Sequence, residues 1–494
     1  MRRTGALFLL AGCLLAAGAH ILSGAGVGPP GPVTSVPGFS GKFPSAHEAG
    51  YIPVGGGREL FYYFAECEDA KLAPTAPVLL WLNGGPGCSS FDGFIYEHGP
   101  FSFSWAGGAP GAGVELSLNP HSWSKVAHVL YVDSPAGVGY SYAPPGDVER
   151  NDTQTAQDSN AFLRKWFKAH PSFAKHEFYV SGESYAGIYV PTLTAEVARG
   201  NDAGQLPYIN VKGYLVGNGC TDEVVDGNAY IPFAFGKSLI GLDVYERGAK
   251  ACKNSYWNAT GACAKHVDDM QTLLDDLNVY DTLDVCYHPD GPGAGHALLR
   301  AAASEASRRA GGAGRSWPVG PVRAGKVDSW RSLGVAPDPD GGVAVPCMDS
   351  RLAHSWLNLP ETRVSLHAAP AATAGEWAIC SDEIEYTHDY GSMLPVHAEL
   401  NERGLRALVY SGDHDLSVPH TGSERWTRDW SSAGGPPLLE EWRAWMVNDQ
   451  VAGYVRHYEK LTYATVKGAG HTVPQYKPVE SLAMLTRFLH GAPL

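Results

Sequence analysis

The segment Phe178-Tyr-Val-Ser-Gly-Glu-Ser-Tyr-Ala-Gly187 runs from an apolar strand through a tight, glycine-bounded turn into a stretch compatible with a helix. A junction of this kind pushes one side chain out above the end of its strand. Here it is Ser184, whose hydroxyl is expected at the N-terminus of the following helix, where unpaired backbone N–H groups favour developing negative charge. A serine turned so sharply needs small neighbours on both sides. Gly182 supplies one; the second position after Ser184 is Ala186, with Gly187 one residue further on, a departure from strict Gly-x-Ser-x-Gly spacing.

Other short apolar or β-branched runs also end in Gly, Asn or Asp: 78–82, 129–132, 214–216, 407–410 and 463–466, beside 178–180 itself. They read as buried strands opening into loops. Helix-like stretches over 155–170 and 188–199 alternate with them, which predicts an α/β chain with a mostly parallel central sheet. Sheets of this kind carry their sites at the strand C-terminal ends. The 494 residues exceed the roughly 250–300 that one core usually holds, so a large insertion or a second domain is expected. Residues from about 236 to 389 show no comparable strand series and hold five of the eight cysteines outside the leader. They read as a cap inserted over the active edge, between core segments 43–235 and 390–494. Within the cap, 291–320 is rich in Ala, Gly, Ser and Arg and reads as a flexible linker.

The composition, 44% apolar and 18% charged, is that of a globular chain. Its formal charge of -14 and the lack of a long basic run argue against a surface that tracks phosphates, so no nucleic-acid partner is expected. Arg2 and Arg3 precede an apolar run over 6–17 and small residues through Ala25. The run is too short for the ~30 Å of a bilayer core and reads as a signal peptide over 1–25, with no membrane anchor expected later. Cys13 leaves with it. The remaining cysteines are Cys67, Cys88, Cys220, Cys252, Cys263, Cys286, Cys347 and Cys380, an even set that favours disulfides in an oxidising compartment without revealing their pairing. Asn151 and Asn258 each begin an Asn-x-Thr triplet, a glycan acceptor of the same route. The expected location is the secretory pathway, ending in a vacuole- or lysosome-like compartment or outside the cell.

A serine hydroxyl is a poor nucleophile until a base takes its proton, so a histidine held by a carboxylate is required downstream. Two strand-end loops offer them. Ala407-Leu-Val-Tyr-Ser-Gly-Asp-His-Asp415 carries Asp413 and Asp415, and Tyr463-Ala-Thr-Val-Lys-Gly-Ala-Gly-His471 carries His471. The chain order Ser, Asp, His is that of α/β-hydrolases. Asp415 is preferred as the partner of His471, because Gly412-x-x-Asp415-x-x-x-Pro419 resembles the acid loop of that fold; Asp413 then braces the turn.

Near the N-terminus, Trp81-Leu-Asn-Gly-Gly-Pro-Gly-Cys-Ser-Ser90 follows an apolar strand, with glycines that let backbone N–H groups approach an oxyanion. This segment, 182–187, Val132-Asp-Ser-Pro-Ala-Gly-Val-Gly-Tyr-Ser141 and Gly468-Ala-Gly-His-Thr-Val-Pro474 together resemble the serine carboxypeptidase family, especially its plant members, over about 43–494. The resemblance implies an α/β-hydrolase fold, Ser184 as nucleophile, His471 as base and Asp415 as its partner. It also implies an oxyanion hole from the N–H groups of Gly85 and Tyr185, and a site for the substrate's terminal carboxylate from Asn83, Gly84, Glu97 and Glu183. The chemistry is consistent: Asn83 and the Gly84 N–H donate at once, whereas a glutamate must first be protonated. Disulfides Cys88 to Cys380, Cys252 to Cys263 and Cys286 to Cys347 are implied as well, leaving Cys67 and Cys220 as a fourth bridge or two free thiols.

The activity so implied is release of single C-terminal residues from peptides and proteins through an acyl-enzyme, with an acidic preference. No metal or cofactor is implied, since the Gly412-Asp-His-Asp415 cluster has no recognised zinc spacing. Two alternatives stand beside it. An acyltransferase using sugar-ester donors needs the same triad without a carboxylate site, and Asn83 and Glu183 argue against it. A protective binding partner of other hydrolases would require a stable complex. Thr472 follows His471 where an acidic residue would favour basic substrates, which points to apolar or uncharged terminal residues; a homodimer is left open.

Overall fold

Apolar runs too short for helices, most of them closed by Gly or Asn, assemble into one large sheet. A computed structural model describes residues 29–257, 259–287, 325–326, 345 and 347–494. The leader 1–25, the linker 291–320 and Asn258 lie outside the described residues. Among these the sheet has eleven strands: β1 (Gly31–Pro32), β2 (His47–Gly55), β3 (Arg58–Ala65), β4 (Val78–Leu82), β5 (His128–Val132), β6 (Phe178–Glu183), β7 (Val211–Gly217), β8 (Arg406–Gly412), β9 (Leu438–Val447), β10 (Gln450–Tyr458) and β11 (Leu461–Val466). Their spatial order is β1-β2-β3-β5-β4-β6-β7-β8-β11-β10-β9. The centre, from β5 across to β11, is parallel throughout, and its six strands are the six apolar runs of the sequence. Antiparallel strands form both margins. Among them β9 was not evident in the sequence because it alternates poorly and is largely solvent-facing, with register shifts against β10.

Successive residues of a strand point to opposite faces, so a strand apolar at every position must be covered on both sides. Leu79 and Trp81 of β4 enter one core with Tyr131, Tyr179, Leu408 and Tyr410, whereas Val78, Leu80 and Leu82 enter the other with Val132, Val180 and Val409. Helices α1 (Asp152–Ala169) and α2 (Ala186–Asp202) close the second face through Phe162, Leu163, Trp166, Ile188, Val190 and Leu193. Burying each such side chain stabilises the fold by ~1.5–3 kcal/mol. Asn151, read from the sequence as a glycan acceptor, is half-buried and caps α1, its Oδ1 accepting from Gln154 N–H at 2.8 Å.

Between β7 and β8 the described residues include several helices, beginning with α3 (Glu223–Gly236), whose cap Asp222 accepts from the N–H groups of Val224 and Val225. A third apolar cluster forms here, from Tyr230, Ile231, Phe233, Met270 and Leu274 with Leu416 of the core. Short strands Gly325–Lys326 and Glu385–His388 also lie in this part and join Glu149–Asn151 in a small separate sheet. Cys88 is bonded to Cys380, Cys252 to Cys263 and Cys286 to Cys347. Cys67 and Cys220 are buried free thiols, so no fourth bridge joins them.

Candidate active site

At the end of β6 the chain turns so tightly that Ser184 takes a φ of 63°, a left-handed conformation costing a non-glycine residue about 1–2 kcal/mol. Three backbone hydrogen bonds hold it there: Ser184 N–H donates to Gly217 O at 3.0 Å, and Ser184 O accepts from Gly187 N–H at 2.9 Å and Cys220 N–H at 3.0 Å. The glycine spacing has a steric reason. A Cβ on Gly182 would lie 2.3 Å from Leu82 O and 2.7 Å from the Ala186 Cβ, so the absence of a side chain at 182 is what admits alanine at 186. Ser184 stands at the start of α2, whose unpaired N–H groups and dipole favour negative charge nearby.

β4 ends beside this turn. A Cβ on Gly84 would fall 2.4 Å from Tyr185 N and 2.9 Å from Ser184 Cβ, so the 83–85 segment lies directly against the turn. Gly85 follows with a φ of 109°.

From the far side come the loops after β8 and β11. Asp415, wholly buried, takes four donors: His471 Nδ1 at 2.7 Å, Asn218 Nδ2 at 2.8 Å, and the N–H groups of Ser417 at 2.7 Å and Val418 at 3.1 Å. Asp413 instead accepts from Gly468 N–H at 2.6 Å and ties the two loops together. His471 presents a buried Nε2 with no hydrogen-bond partner among the described residues, and Ser184 is not hydrogen-bonded to it.

Beside the serine lies a buried acidic group. Asn83 Nδ2 faces Glu183 Oε1 at 3.0 Å, Glu97 Oε1 at 3.3 Å and Asp92 Oδ2 at 3.5 Å. The amide orientation is set from behind, because Asn83 Oδ1 accepts from Trp81 Nε1 at 2.7 Å and Gly93 N–H at 3.0 Å. Oxygens of the three carboxyls lie within 4.8 Å of one another. Burial first, then mutual repulsion, holds Glu97 and Glu183 well above the ordinary carboxylate range, and burial pushes Asp92 up to about 7.

A family model described as serine carboxypeptidase matches residues 37–491. The chain belongs to the serine carboxypeptidase family. It is 46% identical over 479 residues to serine carboxypeptidase 1 of Hordeum vulgare, covering 94% of this chain and 93% of that protein. It is 47% identical over 477 residues to serine carboxypeptidase-like 21 of Arabidopsis thaliana, covering 93% and 94% respectively. Among solved structures, the prohormone-processing carboxypeptidase KEX1(delta)p of Saccharomyces cerevisiae superposes with a TM-score of 0.65 at 21% identity, covering 90% of this chain and 91% of that one, a likeness of fold. As a serine carboxypeptidase this chain is a serine-type hydrolase acting at peptide C-termini.

Three parts of this serine carboxypeptidase site were not read from the sequence. Asp92 carries no spacing signal; it joins Glu97 only because Gly93–Glu97 forms a single wide helical turn. Asn218 meets Asp415 across the sheet, beyond the reach of any local pattern. The segment 279–282, far in sequence from the loops after β8 and β11, clamps them: Val279 O accepts from Leu416 and Ser417 N–H, Thr282 N–H donates to His414 O, and Tyr280 O accepts from His471 N–H at 2.7 Å.

Proposed function

We propose that this enzyme releases single residues from peptide C-termini through an acyl-enzyme on Ser184 and works best in acid. The observation that carries the reading is the contact of two groups. The Asn83, Glu97 and Glu183 cluster adjoins the serine turn, since Glu183 precedes Ser184 in the chain and Gly84 abuts Tyr185 N. A carboxylate held there leaves only the last peptide bond within reach of the serine.

In this mechanism Ser184 Oγ attacks the last peptide carbonyl while His471 Nε2 takes its proton. The oxyanion is met by the N–H groups of Gly85 and Tyr185 at the start of α2. His471 then gives the proton to the leaving amine, a free amino acid departs, and water repeats the sequence on the Ser184 ester. Asp415 keeps Nδ1 protonated and supports the imidazolium formed in each step. Gly84 N–H and Asn83 Nδ2 donate to the substrate carboxylate, and Glu97 and Glu183 donate only when protonated, which accounts for the acidic preference. We assign 236–389 as the cap over this site, with 43–235 and 390–494 as the core. The disulfides fit an oxidising route, through the secretory pathway to a vacuole-like compartment or the exterior.

The test is a mass-resolved digest of a mixed peptide library. Stepwise loss of single C-terminal residues is expected, abolished in Ser184→Ala with secretion and melting temperature nearly unchanged. Internal cleavage, or more than a few percent of activity in Ser184→Ala, refutes the reading.

A further inference from the structure

Asp92 is buried like a structural aspartate but is not satisfied like one. Asp133 and Asp152, equally buried, have both carboxyl oxygens engaged: Asp133 by Ser89 Oγ, Ser90 N–H and Tyr140 N–H, and Asp152 by the hydroxyls of Tyr185 and Tyr386 and by Asp389 N–H. Asp92, 7% exposed, has only the 3.5 Å contact of Oδ2 with the Asn83 amide, and its Oδ1 has no partner among the described residues. Glu97, 5% exposed, shares a carboxyl–carboxyl hydrogen bond with Glu183. Asp226 also has an open Oδ1, but its Oδ2 accepts from the N–H groups of Thr221 at 2.7 Å and Asp222 at 3.0 Å. Buried carboxyls are normally held in this way, so Asp92, with no donor nearer than 3.5 Å on either oxygen, points to a partner that arrives from outside.

Geometry limits what that partner is. The Asn83 amide nitrogen faces the three carboxyls, and an N–H donor aimed inward opposes a cation and favours an acceptor. The groups acting on Asp92 come from four segments: Tyr96 and Glu97 from its own turn, Glu183 from the end of β6, Tyr280 from the clamp segment and His471 from the loop after β11. Of these only His471 favours its ionised form. Asp92 thus belongs to the carboxyl cluster and is near enough to His471 to feel its charge.

We propose that the substrate carboxylate is bound by three protein carboxyls rather than two, with Asp92 as the third, and that all three hold a proton when the site is filled. This rests on the carboxylate-binding reading above. Four carboxyl groups in mutual contact form a hydrogen-bonded set only if three protons lie between them, whereas any proton short leaves two anions face to face in a dry site. Asp92 is then a substrate-binding residue. Above neutrality its ionisation adds one more proton that binding must recover.

The test uses full-length Ser184→Ala protein, which binds without cleaving. A free-acid dipeptide and its C-terminal amide are titrated by calorimetry at pH 5.5 and 7.5, in buffers of different ionisation enthalpy, to count protons taken up. With the free acid at pH 7.5, uptake is expected to fall by about one proton when Asp92→Asn is added, and likewise with Asp92→Ser should the first variant fold poorly. In the active enzyme the same substitutions should make log KM climb less steeply with pH than in the unmodified enzyme. If both Asp92 variants keep the original uptake while Glu97→Gln lowers it, the role given to Asp92 is wrong and the pair stands. If free acid and amide bind alike with equal uptake before any change at Asp92, the carboxylate-binding reading itself is wrong.

Discussion

Replacing Asp415 by asparagine separates charge from shape in the acid–histidine pair. The amide has two orientations. With its nitrogen in place of Oδ2, it would confront three donors: His471 Nδ1, Asn218 Nδ2 and Val418 N–H. With its nitrogen in place of Oδ1, it confronts only Ser417 N–H. The second is favoured, at about 1–3 kcal/mol of stability for the orphaned donor. His471 then keeps its Nδ1–H tautomer, and what is lost is the negative charge opposite the imidazolium. At the observed 2.7 Å and an effective dielectric of ~20, that charge pair is worth roughly 6 kcal/mol, of which the amide dipole recovers part. A loss of ~4–5 kcal/mol corresponds to a fall in kcat/KM of roughly 10³–10⁴. The assay is hydrolysis of a blocked dipeptide at pH 5 by Asp415→Asn and Asp413→Asn, with a thermal melt of each. Activity within tenfold of the unmodified enzyme for Asp415→Asn, or a larger loss for Asp413→Asn, would refute the assignment of the acid.

For a free-acid peptide, KM should rise between pH 4.5 and 7.5 with kcat less affected, because the folded-state pKa values of Glu97 and Glu183 are raised and the protons needed for binding are lost as pH climbs. Glu97→Gln/Glu183→Gln, whose amides donate at every pH, should flatten that rise, and an amidated peptide should not show it; an unchanged rise in the double variant would contradict the assignment. Gly182→Ala should destabilise the fold by ~1–3 kcal/mol and lower activity, since the new methyl meets Leu82 O and the Ala186 methyl, read as a drop in melting temperature. Adding Ala186→Gly should recover part of the loss. Limited trypsin treatment should cut at the arginines within 291–320 and yield two pieces that separate on a denaturing gel only after reduction, because the Cys286–Cys347 and Cys88–Cys380 bridges both span the cut; a single intact chain after digestion would count against it.

The sequence by itself determined the parallel centre of the sheet, because strands covered on both faces are apolar at nearly every position, and such runs stand out without knowledge of their neighbours. For the same reason it marked the strand ends where Asn83, Ser184, Asp415 and His471 lie, since glycine-rich turns announce themselves locally. The outermost strand β9 escaped, because it is half-wetted and has no such pattern. The choice among nearby groups belonged to the tertiary structure. Asp413 and Asp415 are two residues apart and alike in type, and only the approach of the β11 loop turns one towards Gly468 and the other towards His471. Asp92 is an ordinary aspartate in the sequence. It becomes part of an acidic cluster only when β4 and β6 lie side by side and bring Asn83 to Glu183, for a buried charge is defined by what surrounds it, and those surroundings come from residues far apart in the chain.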